Sequence, residues 1–245
     1  MFKAVIKGET FKSLVYIVST IVDEAKVTVS PEGLSIKAID AGRIALLDIK
    51  VTPDAFLSFE ADMDEIGLDL EKVKVLLKLA DASDDIYMEH DPDQGRLVFR
   101  IGNIVRRMSL VDTASMGDPK VPSLDIPDHV VLTADVLKKG IRASESIADH
   151  ITLKADPEGF EVSCQGDTDY VSLRVPASDL AKFEVSKEIK SMYNLDFFSN
   201  IVKVIPDKTE VDVHLESDWP VQLLFGLADG AIAVTYLLAP RVESE

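Results

Sequence analysis

The side chains best suited to catalysis or metal binding are few, and they are spread along the chain. It has one cysteine and four histidines, namely His90, His129, His150 and His214. None of the histidines has a second His or a Cys at the spacing of a metal-binding motif. His150 falls near the end of a predicted helix and His214 inside a predicted strand, so both are interpreted as structural. Cys164 shares a strand face with Val162, which is typical of a small buried hydrophobe.

Acidic residues form two clusters that we considered as cation sites. Asp62, Asp64 and Glu65 are spaced like the first ligands of a calcium-binding loop, but no Glu occupies the twelfth position. The second cluster, Asp81, Asp84 and Asp85, follows a predicted helix and is interpreted as a solvated turn. The chain has no Gly-rich dinucleotide motif, no Walker A loop and no nucleophile elbow. We therefore predict no enzymatic activity, no cofactor and no metal site.

Basic residues occur in four predicted helices, although the net charge of the chain is −17. A helix turns by ~100° per residue, and this places each basic residue off the apolar stripe and toward solvent. On a single helix such residues form an ordinary solvated face. If two matching pairs of helices lie side by side, they form a surface that binds phosphates without sequence specificity. The residues are Lys12, Lys72, Lys74, Lys78, Lys138, Lys139, Arg142 and Lys203.

The segments that contain these helices occur twice in the chain. Pro31-Glu32-Gly33 recurs 126 positions later as Pro157-Glu158-Gly159. The same offset pairs Leu97-Val98-Phe99 with Leu223-Leu224-Phe225, and apolar positions stay in phase over almost the whole length. Self-similarity at one fixed offset indicates a duplicated structural unit.

Hydrophobic periodicity predicts the same order of elements in each copy. Helical spacing predicts helices over 9–25 and 69–82 in the first copy, and over 134–148 and 194–205 in the second. Alternation predicts strands over 34–39, 44–51, 96–101 and 108–111, and over 160–164, 171–175, 211–215, 221–225 and 232–238. Each half is therefore predicted to be an α+β domain, with two helices beside a largely antiparallel sheet.

Residues 112–129 form the one long stretch without clear periodicity, and they contain Gly117, Pro119, Pro122 and Pro127. We predict that this stretch connects an N-terminal domain, residues 1–111, to a C-terminal domain, residues 130–245.

The composition restricts the compartment. No apolar run approaches the ~18–20 residues of a membrane-spanning helix, so no membrane partner is expected. A single cysteine excludes an internal disulfide and favours a reducing compartment. We therefore expect an intracellular, cytoplasmic protein that associates with the nucleoid if it binds DNA.

Five segments match one known family in their order and spacing. They are Met1 to Ala4, Ile39 to Leu46, Leu124 to Pro127, Leu195 to Phe198 and Tyr236 to Glu243. Together they resemble the proliferating cell nuclear antigen family of DNA sliding clamps, and the tail is most similar to archaeal members. The resemblance covers essentially the whole chain.

This resemblance implies a homotrimeric ring in which each chain contributes two copies of the DNA-clamp fold. Helices line the hole, antiparallel sheets form the outside, and the basic helix residues face double-stranded DNA without reading its sequence. The implied function is that of a polymerase processivity factor, placed on DNA by a clamp loader of the replication factor C type. DNA polymerase, flap endonuclease and DNA ligase are the implied partners in replication and repair, and they bind through short hydrophobic peptide motifs.

The resemblance also implies two protein-binding surfaces. A partner-peptide pocket lies beneath the linker and beside the tail, with walls that match Ile39, Arg43, Ile44, Leu124, Ile126, Pro127, Pro220, Leu238, Ala239, Pro240 and Val242. Subunits join through a late strand of the first domain and a strand of the second. The matching residues are Met108, Leu110, Val111, Val171, Leu173 and Val175.

Asn200 stands where a lysine is common in the family, so the fourth helix carries less positive charge than the family pattern. Two other classes of protein remain as alternatives at this point. One is an interaction scaffold that keeps the peptide pocket without encircling DNA, and the other is an enzyme that uses an acidic metal cluster.

Overall fold

The structure is a computed structural model that describes residues 1–241, and the chain divides into two compact units. The first unit contains Met1–Asp40, Leu47–Val121 and Gly226–Val234. The second contains Ala41–Leu46, Pro122–Phe225 and the tail from Thr235. Residues 112–128 form no helix or strand. Among the described residues, no helix combines the length and apolarity needed to cross a membrane.

The first half of the chain forms nine strands and two α-helices. In order these are β1 (Phe2–Lys7), α1 (Gly8–Val18), β2 (Glu24–Ser30), β3 (Gly33–Ile39), β4 (Ala45–Val51), β5 (Ser58–Ala61), β6 (Asp64–Asp69), α2 (Leu70–Leu77), β7 (Asp85–Asp91), β8 (Arg96–Ile101) and β9 (Ile104–Ser109).

The second half repeats this order in full over the described residues. It forms β10 (His129–Thr133), α3 (Ala134–Ser144), β11 (His150–Asp156), β12 (Gly159–Gln165), β13 (Tyr170–Pro176), β14 (Lys182–Glu184), β15 (Ile189–Asn194), α4 (Leu195–Val204), β16 (Glu210–His214), β17 (Val221–Leu227) and β18 (Ile232–Leu238).

Strand order is also repeated. The first half contains the runs β5-β1-β7-β8-β9 and β4-β3-β2-β6, and the second contains β14-β10-β16-β17-β18 and β13-β12-β11-β15. The strand pairs whose registers are resolved are antiparallel. The predicted α+β class is confirmed. The duplicated pattern has a simple physical basis, because equal spacing of buried positions selects the same packing of helices on sheets in both halves.

The registers show that the repeat offset is not constant. Helices α1 and α3 are 126 positions apart at both ends, and the strands before them make Met88 and Val213 equivalent. Met88 pairs with Phe99, whereas Val213 pairs with Leu223. Phe99 therefore corresponds to Leu223, 124 positions later, and not to Phe225 as a constant offset predicts. A slip of two residues keeps the side chain on the same face of the strand, so the apolar pattern stays in phase.

Helix lengths differ from the prediction in one informative place. The first helix was expected over 9–25 but ends at Val18, and Ala25 already belongs to β2. The Thr20 hydroxyl donates to the carbonyl of Ile17 over 2.7 Å, which satisfies a backbone group at the helix end. Apolar residues in the turn after α1 continue the helical spacing, so the sequence predicted a longer helix than the structure contains.

Candidate nucleic-acid interface and protein-binding surfaces

Each unit positions its two helices by packing them against each other. Capping side chains begin the second helix of each pair: Asp69 accepts from the backbone N–H of Lys72 at 3.0 Å, and Asn194 accepts from that of Phe197 at 3.2 Å. Gly140 lets α3 approach its sheet closely, since a Cβ there would lie 2.7 Å from Val162. The helix faces that remain exposed carry the predicted DNA-facing residues.

Two of these predicted residues have their ammonium groups engaged within the unit. Lys138 is buried, and its Nζ donates to the carbonyl of Ile205 at 2.5 Å and to Asp207 Oδ1 at 2.6 Å. Lys12, its counterpart in the first repeat, donates in the same way to the carbonyl of Ala80, just beyond α2.

The prediction that Lys138 faces DNA is therefore wrong, and Lys12 is half-buried with its ammonium engaged. The ends of α2 and α4 expose carbonyls without helical partners and carry partial negative charge. A long lysine side chain from the neighbouring helix donates a hydrogen bond to such a carbonyl and offsets this negative charge. Both lysines serve helix pairing, and Lys138 shows that a residue off the apolar stripe can still be buried by the neighbouring helix.

Four other predicted residues are exposed or partly exposed, but each is paired with a carboxylate. Nζ–O distances are 2.7 Å for Lys72 to Asp69, 3.0 Å for Lys139 to Asp135 and 2.6 Å for Lys203 to Glu145. Lys74 pairs with Glu71 in the same way.

Ion pairs with lysine lower the pKa of some of these carboxyl groups. The bond from Lys72 lowers the pKa of Asp69, and the bond from Lys203 lowers that of Glu145. Exposed pairs of this kind contribute little to stability. Their effect on DNA binding is larger, because each lysine must break its ion pair with a carboxylate before it can contact a phosphate.

Lys78 and Arg142 complete the predicted set, and both are exposed. Over residues 1–241, neither side chain donates a hydrogen bond or lies within 4.0 Å of a carboxylate, although the charge of Arg142 contributes to lowering the pKa of Glu145. Lys78 is the residue after α2, and Arg142 lies in the last turn of α3. They are the two cations whose charge is most available to a phosphate. Asn200 is exposed on α4, as the sequence implied, and adds no charge.

Two long strand edges are left uncovered within the described part of the chain. Strand β9 pairs only with β8, and β13 pairs only with β12. The other edge strands are short or carry an extra backbone hydrogen bond: β5 has four residues and β14 has three. Val111 bonds to Gly67 beside β6, and the N–H of Arg241 donates to Met192 of β15 at 2.7 Å. An uncovered edge offers backbone donors and acceptors to another strand.

The structure places the predicted subunit-contact residues unequally. Val171, Leu173 and Val175 alternate along β13 and are half-buried. Met108 is buried at the end of β9. Leu110 and Val111 lie beyond that strand.

The expectation of a strand over 108–111 is wrong, because β9 is Ile104–Ser109. The N–H groups of Leu110 and Val111 already donate to the carbonyls of Gly95 and Gly67. Sequence reasoning also missed the exposed apolar residues of the two edges, which are Ile104, Val105 and Tyr170. Periodicity could not find them, since an alternating strand does not reveal whether a further strand covers its edge.

The predicted peptide pocket maps mainly to the second unit. Ile126 is 5% exposed and Leu238 is fully buried, so Leu238 has no surface for a peptide to contact in this structure. Ile44 is exposed, and its carbonyl accepts from the N–H of Ala239 at 2.9 Å. Leu124 is half-buried on the linker. Fewer of the predicted pocket residues are therefore accessible to a peptide than the resemblance implies.

The remaining predicted pocket residues differ in exposure and in the unit to which they belong. Pro220, Ala239 and Pro240 are half-buried, and Pro127 is exposed, all in the second unit. Arg43 is exposed, and its φ of 56° belongs to the turn that precedes Ile44. Ile39 ends β3 in the first unit, and Val242 lies outside the described residues.

Comparison with proteins of known family agrees with this architecture. Residues 1–114 match the N-terminal domain of proliferating cell nuclear antigen (PCNA). A solved structure of A. fulgidus PCNA bound to the C-terminal region of FEN-1 superposes with a TM-score of 0.94 at 27% identity, over all of both chains. PCNA from Thermococcus kodakaraensis gives 0.92 at 26% identity, over 98% of this chain and all of that one. The fold is thus that of a DNA clamp.

Relatives of similar length narrow the assignment. The DNA polymerase sliding clamp of Methanococcoides burtonii is 36% identical over the full length of both chains. That of Methanocella arvoryzae is also 36% identical, and that of Halobacterium salinarum is 33% identical, again over both full lengths. The chain belongs to the PCNA family of DNA polymerase sliding clamps.

Proposed function

We propose that three copies of this chain close into a ring around duplex DNA and hold DNA polymerase on its template. The ring forms when β9 of one copy pairs with β13 of the next. A contact between two different surfaces closes into a ring when its rotation allows, and the number three follows the family resemblance. Six repeats would then present twelve helices to the hole.

The observation that carries the proposal is the pair of long uncovered strand edges, one in each unit. Their lengths are similar, with six residues in β9 and seven in β13. Their exposed or half-buried apolar side chains, such as Val105 and Leu173, would be buried by the pairing. One such contact would satisfy the β9 and β13 edges of every chain.

The ring would bind DNA weakly, because few of its cations are free to contact phosphates. Lys78 and Arg142 are free to approach phosphates, whereas Lys72, Lys74, Lys139 and Lys203 start from ion pairs. Few contacts to the sugar-phosphate backbone give a modest, salt-dependent affinity without sequence preference. Encirclement then supplies retention, and weak contacts permit sliding.

Partners would bind the outer surface near the linker. The A. fulgidus relative is described as bound to the C-terminal region of FEN-1, which supports a flap endonuclease as one partner of this chain. DNA polymerase and DNA ligase would use short hydrophobic motifs at the same surface, with Leu124 and Ile44 as accessible contacts. A loader of the replication factor C type would open the ring. We assign no catalytic step or cofactor to the chain, and we place it in the cytoplasm on the nucleoid.

The mass of the purified chain tests ring formation, and retention on circular DNA tests encirclement. Light scattering at micromolar concentration should give three times the chain mass. After loading on nicked circular DNA, the protein should stay bound in high salt and should leave when the circle is cut to a linear duplex. A monomer in moderate salt contradicts the ring. A trimer that leaves circular and linear DNA equally fast favours a scaffold that does not encircle DNA.

A further inference from the structure

Two histidines and an aspartate meet on one face of the second unit. Glu184 on β14, His129 on β10 and His214 on β16 form a row across three neighbouring strands. Asp212 precedes His214 by two residues and so lies on the same face. The imidazole rings stack with centroids 4.5 Å apart. One potential ligand atom from each of His129, Asp212 and His214 lies within 4.8 Å of the other two.

The outer nitrogen of each imidazole has a partner that can accept a hydrogen bond. His214 Nδ1 lies 2.9 Å from the carbonyl oxygen of Ile126, and a carbonyl only accepts, so Nδ1 carries the hydrogen. His129 Nε2 lies 3.3 Å from Glu184 Oε2. These contacts orient the other two nitrogens toward Asp212. His129 Nδ1 is 2.6 Å and His214 Nε2 is 3.4 Å from Asp212 Oδ1.

His214 Nε2 is the unusual atom of the group. It is buried and has no hydrogen-bond partner among the described residues. With the hydrogen on Nδ1, this nitrogen presents a lone pair to a carboxylate oxygen, which is also an acceptor. A buried acceptor without a donor is costly, and in native proteins such a group commonly has a bound water or ion as its partner.

The first repeat provides a comparison within the same molecule. Strand register places Lys3 and Glu89 where His129 and His214 lie, with Glu60 in the position of Glu184. There the central pair is an ion pair, with Lys3 Nζ 3.1 Å from Glu89. The bond from Glu89 raises the pKa of Lys3. The first repeat thus satisfies this row with its own charges, whereas the second brings two imidazole nitrogens and a carboxylate oxygen within 4.8 Å of one another.

The geometry points to a binding site for a divalent transition-metal cation of the zinc class at His129 Nδ1, Asp212 Oδ1 and His214 Nε2. Two imidazoles and one carboxylate are a usual ligand set for zinc, with a fourth position for water or another ligand. Imidazole ligands favour Zn²⁺, Co²⁺ or Ni²⁺ over Mg²⁺ and Ca²⁺, which prefer oxygen.

The outer contacts of the two histidines fit this role. Histidines that bind metals usually donate their other ring N–H to a carboxylate or a backbone carbonyl. Glu184 and the carbonyl of Ile126 supply one of each. Sequence analysis predicted no metal site, because the two histidines are distant in the chain and only the strand register makes them neighbours.

The bound cation would also fix the end of the linker. Ile126 is held by His214, and the carbonyl of Asp128 accepts from the N–H of Leu215 at 3.0 Å. Metal binding orients the His214 ring and thereby strengthens its bond to Ile126. The site would stiffen the segment that leads into β10, and this effect does not depend on whether the ring encircles DNA.

Cobalt titration of the full-length, chelator-treated chain tests the site. One Co²⁺ per chain should bind and give the strong visible absorption of a tetrahedral site, and Zn²⁺ should displace it. His129→Gln and His214→Gln should each weaken binding at least about tenfold. His90→Gln is the matched control, because His90 Nδ1 also contacts a carboxylate, Asp64, at 2.5 Å, but has no second histidine near it. Equal affinity in wild type and His214→Gln overturns the proposal, as does loss of binding in His90→Gln.

A second variant separates loss of the site from loss of the fold. Replacing His129→Lys and His214→Glu together installs the ion pair that the first repeat has in this row. This variant should unfold at a temperature close to that of the chelated wild type and should bind no Co²⁺. Zn²⁺ should raise the unfolding temperature of the wild type alone. Tight Co²⁺ binding by the folded double variant would place the metal elsewhere and overturn the assignment.

Discussion

Lys138 donates from its ammonium nitrogen to the main-chain carbonyl of Ile205 over 2.5 Å. The bond joins α3 to the end of α4 inside the second unit. Lys12 makes the corresponding bond to Ala80 in the first unit. The duplication has therefore kept one lysine in each unit for helix pairing, and only some of the basic residues of the helices are available to DNA.

Replacing Lys138 should destabilise the chain more than replacing its neighbour. Lys138→Met removes a charged donor from a buried carbonyl, which is expected to cost about 1.5–3 kcal/mol of unfolding free energy. Lys139→Met removes only an exposed pair with Asp135, which is expected to cost about 0.5 kcal/mol or less. Urea denaturation of both variants measures the difference. Equal stabilities would show that the bond from Lys138 does not hold the helices together.

Neutralising the free cations should weaken DNA contact more than neutralising paired ones. The variant Lys78→Ala with Arg142→Ala and the variant Lys72→Ala with Lys139→Ala change the net charge by the same amount. Each cation that contacts a phosphate contributes about 0.9 to the salt dependence of binding. Polymerase processivity, measured as a function of salt, should fall further in the first variant. A larger fall in the second would mean that the ion pairs open on DNA.

A charge placed on the β13 edge should break the subunit contact. Leu173 is half-buried on that edge, and Leu173→Asp would set a carboxylate against the incoming strand. We expect a folded monomer by light scattering and circular dichroism. Leu57→Asp is the control, because Leu57 is 56% exposed and lies outside both β9 and β13. A trimer in Leu173→Asp would exclude this edge from the contact.

Peptide binding is best tested at accessible residues of the pocket. Leu124→Ala with Ile44→Ala should weaken a partner peptide, measured by calorimetry, while leaving thermal stability nearly unchanged. Leu238→Ala should instead cost about 2–5 kcal/mol of stability, because that side chain is fully buried. Unchanged peptide affinity in the first variant would move the pocket away from the linker.

Acid should remove a specific contribution to stability from Asp156. The guanidinium of Arg174 makes two hydrogen bonds to this carboxylate, at 2.7 and 3.1 Å, and lowers its pKa below the ordinary value of 3.8. A lowered pKa in the folded state stabilises the protein above the unfolded pKa, and this is lost as the pH falls through the folded value.

The measurement is the unfolding temperature of wild type and Asp156→Asn across the acidic range. The variant should be less stable at neutral pH, and the two curves should converge as the pH falls below 3.8. Asp167→Asn, in the exposed turn before β13, serves as the control and should follow the wild type. A constant difference at every pH would mean that the bond to Arg174 is not responsible.

The sequence by itself determined the duplication, the α+β class and which face of each helix is apolar. These follow from periodicity, which is a local property of the chain, as the spacing of Phe11, Leu14 and Val18 shows. Segments such as the tail also revealed the resemblance to the family.

Only the tertiary structure decided what the polar side chains touch. Lys138 and Lys139 are adjacent in sequence and both lie off the apolar stripe, yet one is buried against the end of α4 and the other is exposed. His129 and His214 are far apart in the chain, and strand register makes them neighbours. Periodicity fixes the direction in which a side chain leaves its own element. The partner it meets depends on how distant elements pack, and that information is not local.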